Sequence, residues 1–95
     1  MTMSYARVQT HKASEYLVRL SKDWLRTVPE IVFNDRRAFI PFPHARCELE
    51  AGEGFLDITL TASTPHYAAL LEDFVADHLD SLAGAEHLRY QWTLQ

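Results

Sequence analysis

The residues from Arg46 to Ala62 constrain the fold more than any other stretch of this chain. Cys47, Leu49 and Ala51 alternate with Arg46, Glu48 and Glu50; Leu56, Ile58, Leu60 and Ala62 then alternate with Phe55, Asp57, Thr59 and Thr61. A period of two puts successive side chains on opposite faces of a strand, so each run has one apolar face and one polar face. Between the runs stand Gly52-Glu53-Gly54, whose glycines reach positive φ at little cost. The stretch reads as a β-hairpin with one wet face.

The flanking segments supply the rest of a sheet and two helices to cover it. Phe39-Ile40-Pro41-Phe42-Pro43 is apolar but carries two prolines, each lacking a ladder donor, so it should be an edge strand or bend at Pro41 or Pro43. Ile31-Val32-Phe33 is a short strand candidate, with Asn34-Asp35-Arg36-Arg37 as the turn that follows. Ser4 to Thr10 alternates weakly, Tyr5, Arg7 and Gln9 opposing Ala6 and Val8. Thr10 can cap a helix from about Lys12 to Thr27, which places Ala13, Tyr16, Leu17, Leu20 and Trp24 on one face and Lys12, Glu15, Arg19, Lys22 and Arg26 on the other. Thr64 as N-cap with Pro65 at the first helical position starts a second helix that ends near Ala83-Gly84. Its apolar stripe is Tyr67, Leu70, Leu71, Phe74, Val75 and Leu82, with His78 alongside. Its polar face holds Glu72, Asp73, Asp77 and Asp80, the first two read as lying near the helix N-terminus. Leu88, Tyr90, Trp92 and Leu94 alternate with polar neighbours and predict a last strand paired in the sheet beneath the helices. The pattern is α+β: a single, mainly antiparallel sheet of five to six strands with two helices on one face, in the order β-α-β-β-β(-β)-α-β.

Ninety-five residues suit a single domain spanning 1–95. A formal charge of −4, with Arg36-Arg37 the only adjacent basic pair, argues against a nucleic-acid binder. A single cysteine rules out an internal disulfide and suits a reducing compartment. No segment resembles a signal peptide or approaches the length that spans a bilayer, so we expect a cytoplasmic protein with no membrane partner.

Few residues carry chemistry. His44 and Cys47 are good ligand types for zinc or haem iron, but residues three apart on a regular strand point to opposite faces. They can meet only if Pro43 starts a turn; the plainer reading makes Cys47 a core residue and leaves His44 on a loop. His78, on an apolar helical side, can ligate a metal or act as an acid or base, though such histidines more often sit at a core boundary. His11, with Thr10, Lys12 and Ser14, stands where a helix N-terminus can hold a phosphate or carboxylate, but no glycine-rich loop accompanies it. Asp73, Asp77 and Asp80 share one helical face, which reads first as a solvated face. No serine has a nucleophile-elbow context. Phe55 alternates with the core set, so it is a candidate partner or dimer surface.

Taken together, Thr10-His11-x-Ala13-Ser14-x-Tyr16-Leu17, Ile40-Pro41-Phe42 leading to Cys47-x-Leu49-x-Ala51, His78-Leu79 and Trp92 resemble the bacterial family filed as domain of unknown function 2218. The resemblance covers nearly the whole chain. It implies a small module that also occurs joined to siderophore-interacting flavin reductases, and hence an accessory role linked to iron. It does not imply a reaction. The family tends to carry Lys-His-Phe where this chain has Lys22-Asp23-Trp24, and a glycine where this chain has Ala45-Arg46. If the family's histidines bind a ligand, this chain lacks one of them and retains His11, Cys47 and His78.

Two functions follow as expectations. One is a binding or accessory module without its own catalytic constellation, engaging a protein partner in siderophore-iron reduction or a small iron-related ligand. The other is a metal- or haem-handling protein using His44, Cys47 and His78, with iron or haem as the cofactor. A homodimer through sheet faces or edges is a further reading, with Pro41 and Pro43 guarding one edge.

Overall fold

The computed structural model describes residues 1–95. Its elements run β1 (Thr2–Gln9), α1 (Ala13–Leu25), β2 (Val32–Phe33), β3 (Arg37–Phe42), β4 (Ala45–Gly52), β5 (Phe55–Ala62), α2 (Pro65–Ala83) and β6 (Thr93–Leu94). The strands form one antiparallel sheet in the order β2-β3-β4-β5-β1-β6. Both helices lie on one face, α1 over β3, β4 and β5, and α2 over β5 and β1. This is the α+β architecture that the alternation and the two amphipathic segments imply.

The central hairpin has the expected register. Gly52 pairs with Phe55 across a two-residue loop, and Gly54 takes a φ of 85°. Gly52 is needed for a different reason: a Cβ there would lie 2.0 Å from the Phe55 Cζ, so the phenyl ring occupies the space a side chain would fill. The proline run is not the edge strand, since β2 lies outside β3, but the end of β3 that carries Pro41 runs past β2 and the bend falls at Pro43. The Ala51 N–H donates to the Arg36 carbonyl at 2.8 Å, and the alternation from that pair turns the Pro41 nitrogen away from β4. On that outer side β2 reaches only to Phe39, so the missing donor of Pro41 breaks no ladder bond. The chain then reverses at Pro43-His44, where His44 is the one non-glycine residue with positive φ, 62°. Asn34 forms the β2–β3 turn, its Oδ1 accepting from the Arg36 and Arg37 amides at 2.8 and 2.9 Å.

The core lies between the helices and the inner face of the sheet. Val8, Ile40, Cys47, Leu49, Leu56, Ile58 and Leu60 meet Tyr16, Leu17, Leu20 and Trp24 of α1 and Ala68, Leu71, Val75 and Leu79 of α2. Burying each large aliphatic side chain contributes about 1.5–3 kcal/mol. Thr64 caps α2 by accepting from the Tyr67 amide at 3.1 Å, with Pro65 at the start and Gly84 at the end.

Four details depart from the sequence reading. The last strand pairs with β1 only over Thr93–Leu94. Upstream of it the tail is drawn towards α2, because the Tyr90 hydroxyl donates to Asp80 Oδ1 at 3.0 Å; Leu88, Tyr90 and Trp92 are half-buried there without ladder bonds. The buried side of α2 is Ala68, Leu71, Val75 and Leu79, whereas Leu70 and Phe74 are exposed; Phe74 stacks on Trp24 at its flank instead of entering the core. Glu72 and Asp73 lie beyond the first turn of α2, which holds no acidic residue, and Glu72 accepts instead from the Ser4 hydroxyl. Thr10 lies two residues before Lys12, the N-cap of α1, and accepts from the Lys12 amide at 3.1 Å.

Candidate functional site

With both helices on one side, the other face of the sheet is left open. One row of side chains crosses it from β2 to β1: Val32, Phe39, Glu48, Thr59 and Tyr5, each opposite the next. The neighbouring row is Arg37, Glu50, Asp57 and Arg7. Sheet twist leaves a groove of about 450 Å³ over these rows, lined by Tyr5, Val32, Phe39, Arg37, Glu50 and Asp57 among others. Val32 is 70% and Phe39 41% exposed, although both are large and apolar.

The charges on this face are matched within the chain. Glu50 and Asp57 meet across β4–β5, a like-charge pair that would be unfavourable alone. An arginine answers each: Arg37 approaches Glu50 at 3.5 Å, and Arg7 grips Asp57 through Nε at 2.8 Å and Nη2 at 3.0 Å. Arg46 lies 3.3 Å from Glu48 on the same strand. The Tyr5 hydroxyl also donates to Asp57 Oδ1 at 2.7 Å. Burial works against ionisation of Asp57, but the bonds from Arg7 and Tyr5 outweigh it and hold its carboxyl below the usual range. The bond to Asp57 likewise pushes the Tyr5 phenol up. The Arg7 guanidinium lies 3.9 Å from the Phe55 ring centroid, so Phe55 is held between Gly52 and Arg7 and is half-buried on this face.

Phe55 apart, the residues singled out from the sequence lie elsewhere and away from one another. Cys47 is fully buried in the apolar core, and that burial, together with Glu48, pushes its thiol far up, away from the thiolate a metal requires. His44 is exposed on the β3–β4 turn. His78 sits half-buried beside Trp24 and Phe74, its Nδ1 donating to the Phe74 carbonyl at 3.0 Å. No group of three or more histidine, cysteine or acidic side chains gathers closely enough to hold a metal ion, so His44, Cys47 and His78 do not form one centre. Asp73 and Asp77 are exposed, and Asp80 accepts from Tyr90. Ser14 donates to the Asp35 carbonyl, tying α1 to the β2–β3 turn.

The anion place expected at the start of α1 is filled by the chain itself. Glu86 accepts from the Thr10 hydroxyl at 3.2 Å and from the Tyr16 hydroxyl. The bond from Tyr16 lowers the Glu86 carboxyl, with help from Thr10 and the charges of Lys12 and His11. Burial, then Glu86, raises the Tyr16 phenol to about 12.

Tyr5, Val32 and Phe39 were not among the sequence candidates. The signal that could have found them is parity. Counting outward from the buried set of each strand assigns all three to the wet face, where large apolar residues are out of place. No helix is long and apolar enough to cross a membrane.

Comparison with known proteins agrees with this architecture. The NMR structure of PA4090 from Pseudomonas aeruginosa superposes with a TM-score of 0.83 at 32% sequence identity, covering 98% of this chain and 96% of that one. No curated protein matches the chain. The sequence profile described as "Uncharacterized protein conserved in bacteria (DUF2218)" matches residues 5–93, and the chain therefore belongs to that family.

Proposed function

We propose that this chain is a non-catalytic binding module that docks a protein partner on the uncovered face of its sheet. The observation that carries the reading is the exposed Val32–Phe39 pair beside an open groove, on a face that no element of the chain covers. Exposed aromatic and aliphatic side chains rimmed by charge are the composition of a docking surface. Arg7, Arg37 and Arg46 balance Glu48, Glu50 and Asp57 pair by pair, so the face as a whole is close to neutral. A face of that kind attracts no polyanion and suits a partner of mixed charge.

The partner that the family resemblance favours is a siderophore-interacting flavin reductase, which would make this an accessory module in iron metabolism. Binding is measured by calorimetry between the purified chain and such a reductase. Phe39→Asp should weaken it at least about a hundredfold, the loss of one interface anchor, and Phe55→Ala should weaken it less. Unchanged affinity in both variants would refute the docking face, whereas no binding of the wild type would refute only the choice of partner.

A further inference from the structure

We infer that a second site, for a small oxyanion bearing a carboxylate or phosphate group, lies at the sheet edge between β1 and residues 87–92. The backbone alternation defines it. The Thr10 amide donates to the Gly54 carbonyl at 3.1 Å, which assigns the even-numbered residues of β1 to β5. The Gln95 amide donates to the Met3 carbonyl at 2.8 Å, which assigns the odd-numbered ones to the tail. The tail pairs no further than Tyr5, so the outward peptide groups of Arg7 and Gln9 have no backbone partner.

Opposite them stand His87, Arg89 and Gln91. These five residues line a slot of about 410 Å³ with no acidic and no apolar side chain among them, on a chain whose net charge is −4. Arg7 is committed to Asp57 and Phe55, but Arg89 has no carboxylate within ion-pair distance. The slot is held open from the other side of the tail. Tyr90 is bonded to Asp80 and stacks against Trp92 with ring centroids 6.3 Å apart, so the alternate residues are anchored to the body of the protein. A guanidinium fork, an imidazole and free backbone amides are the donors that a carboxylate or phosphate accepts from. An extended peptide is the poorer fit, since no apolar wall would receive its side chains.

The test is an amide and arginine-Nε NMR titration with inorganic phosphate and, separately, acetate, against sodium chloride at equal ionic strength. The expected result is saturable shifts at Arg7, Gln9 and Arg89, with affinity lowered at least about tenfold in Arg89→Gln, the loss of a charged hydrogen bond. Lys22→Gln, on the exposed face of α1, should leave the shifts unchanged. Response to phosphate alone or to acetate alone supports the site and fixes the group it prefers. Arg89 is exposed, so its variants should keep the wild-type spectrum, and Arg89→Lys should fall between wild type and Arg89→Gln. Shifts that chloride reproduces, that spread over all basic residues, or that survive Arg89→Gln would overturn the inference.

Discussion

Along β1 and β5 the same backbone serves two surfaces. Val8, Leu56, Ile58 and Leu60 point inward and are wholly buried against the helices. One residue along, Arg7, Asp57 and Thr59 point outward into a lattice of ion pairs and half-open grooves. The inner face is held by packing, which is dense and tolerates little change in volume. The outer face is held by exposed ion pairs, which contribute little to stability one by one. The packed core and the proposed docking surface are thus separated by a step of one residue, so a substitution's effect on stability should follow its parity more than its size.

The largest expected effect is on the inner face. Leu60→Ala should lose about 3 kcal/mol in urea unfolding, the usual cost of a large-to-small core change, whereas Phe39→Ala should lose less than about 1 kcal/mol. Equal losses would break the contrast. Gly52→Ala comes next. It should destabilise by about 1–2 kcal/mol because its Cβ displaces the Phe55 ring. The same change made together with Phe55→Ala should be nearly neutral, which a double-mutant cycle measures.

Acid should weaken the protein through Asp57 on the outer face and through Glu86, which accepts from the Thr10 and Tyr16 hydroxyls. The Asp57 and Glu86 carboxyls are both held below their ordinary values in the folded chain. Each therefore adds stability above the unfolded carboxylate pKa of about 4, and that stability is lost as the pH falls through the folded value. The urea midpoint should drop across this range, and Asp57→Asn with Glu86→Gln should flatten the drop. At the alkaline end, Tyr16 and Tyr90 are raised, burial being the larger cause in each. They add stability below the unfolded phenol pKa of about 10 that is lost above it, and ultraviolet titration should show late phenolate formation. The smallest effect should come from Arg37→Ala, within about 0.5 kcal/mol, because Arg37 and Glu50 are both exposed.

What was legible in the sequence was what local chemistry decides. Alternation set the parity of β1, β4 and β5, and Thr64-Pro65 with Gly84 set the bounds of α2. The α1 side chains assigned to the core are all buried. What was not legible depends on partners distant along the chain. Leu88 to Leu94 has the pattern of a full strand, yet Tyr90 reaches α2 and lifts most of it from the sheet. Leu70 and Phe74 satisfy helical spacing as well as Leu79 does; which side of α2 faces inward depends on its packing against β5, β1 and α1, elements distant in sequence. The anion place beside His11 was legible as a location, but not that Glu86, 76 residues beyond Thr10, fills it. The groove on the open face was hidden because Val32, Phe39 and Tyr5 come from separate segments that only the strand order brings into one row.

Docking on the uncovered face of the sheet, as proposed above, can be read from the amide shifts of the labelled chain on addition of a siderophore-interacting flavin reductase. Changes should concentrate at Val32, Phe39, Glu48, Thr59 and Tyr5 and disappear in Phe39→Asp. Changes centred on the exposed sides of α1 and α2, and retained in that variant, would contradict it.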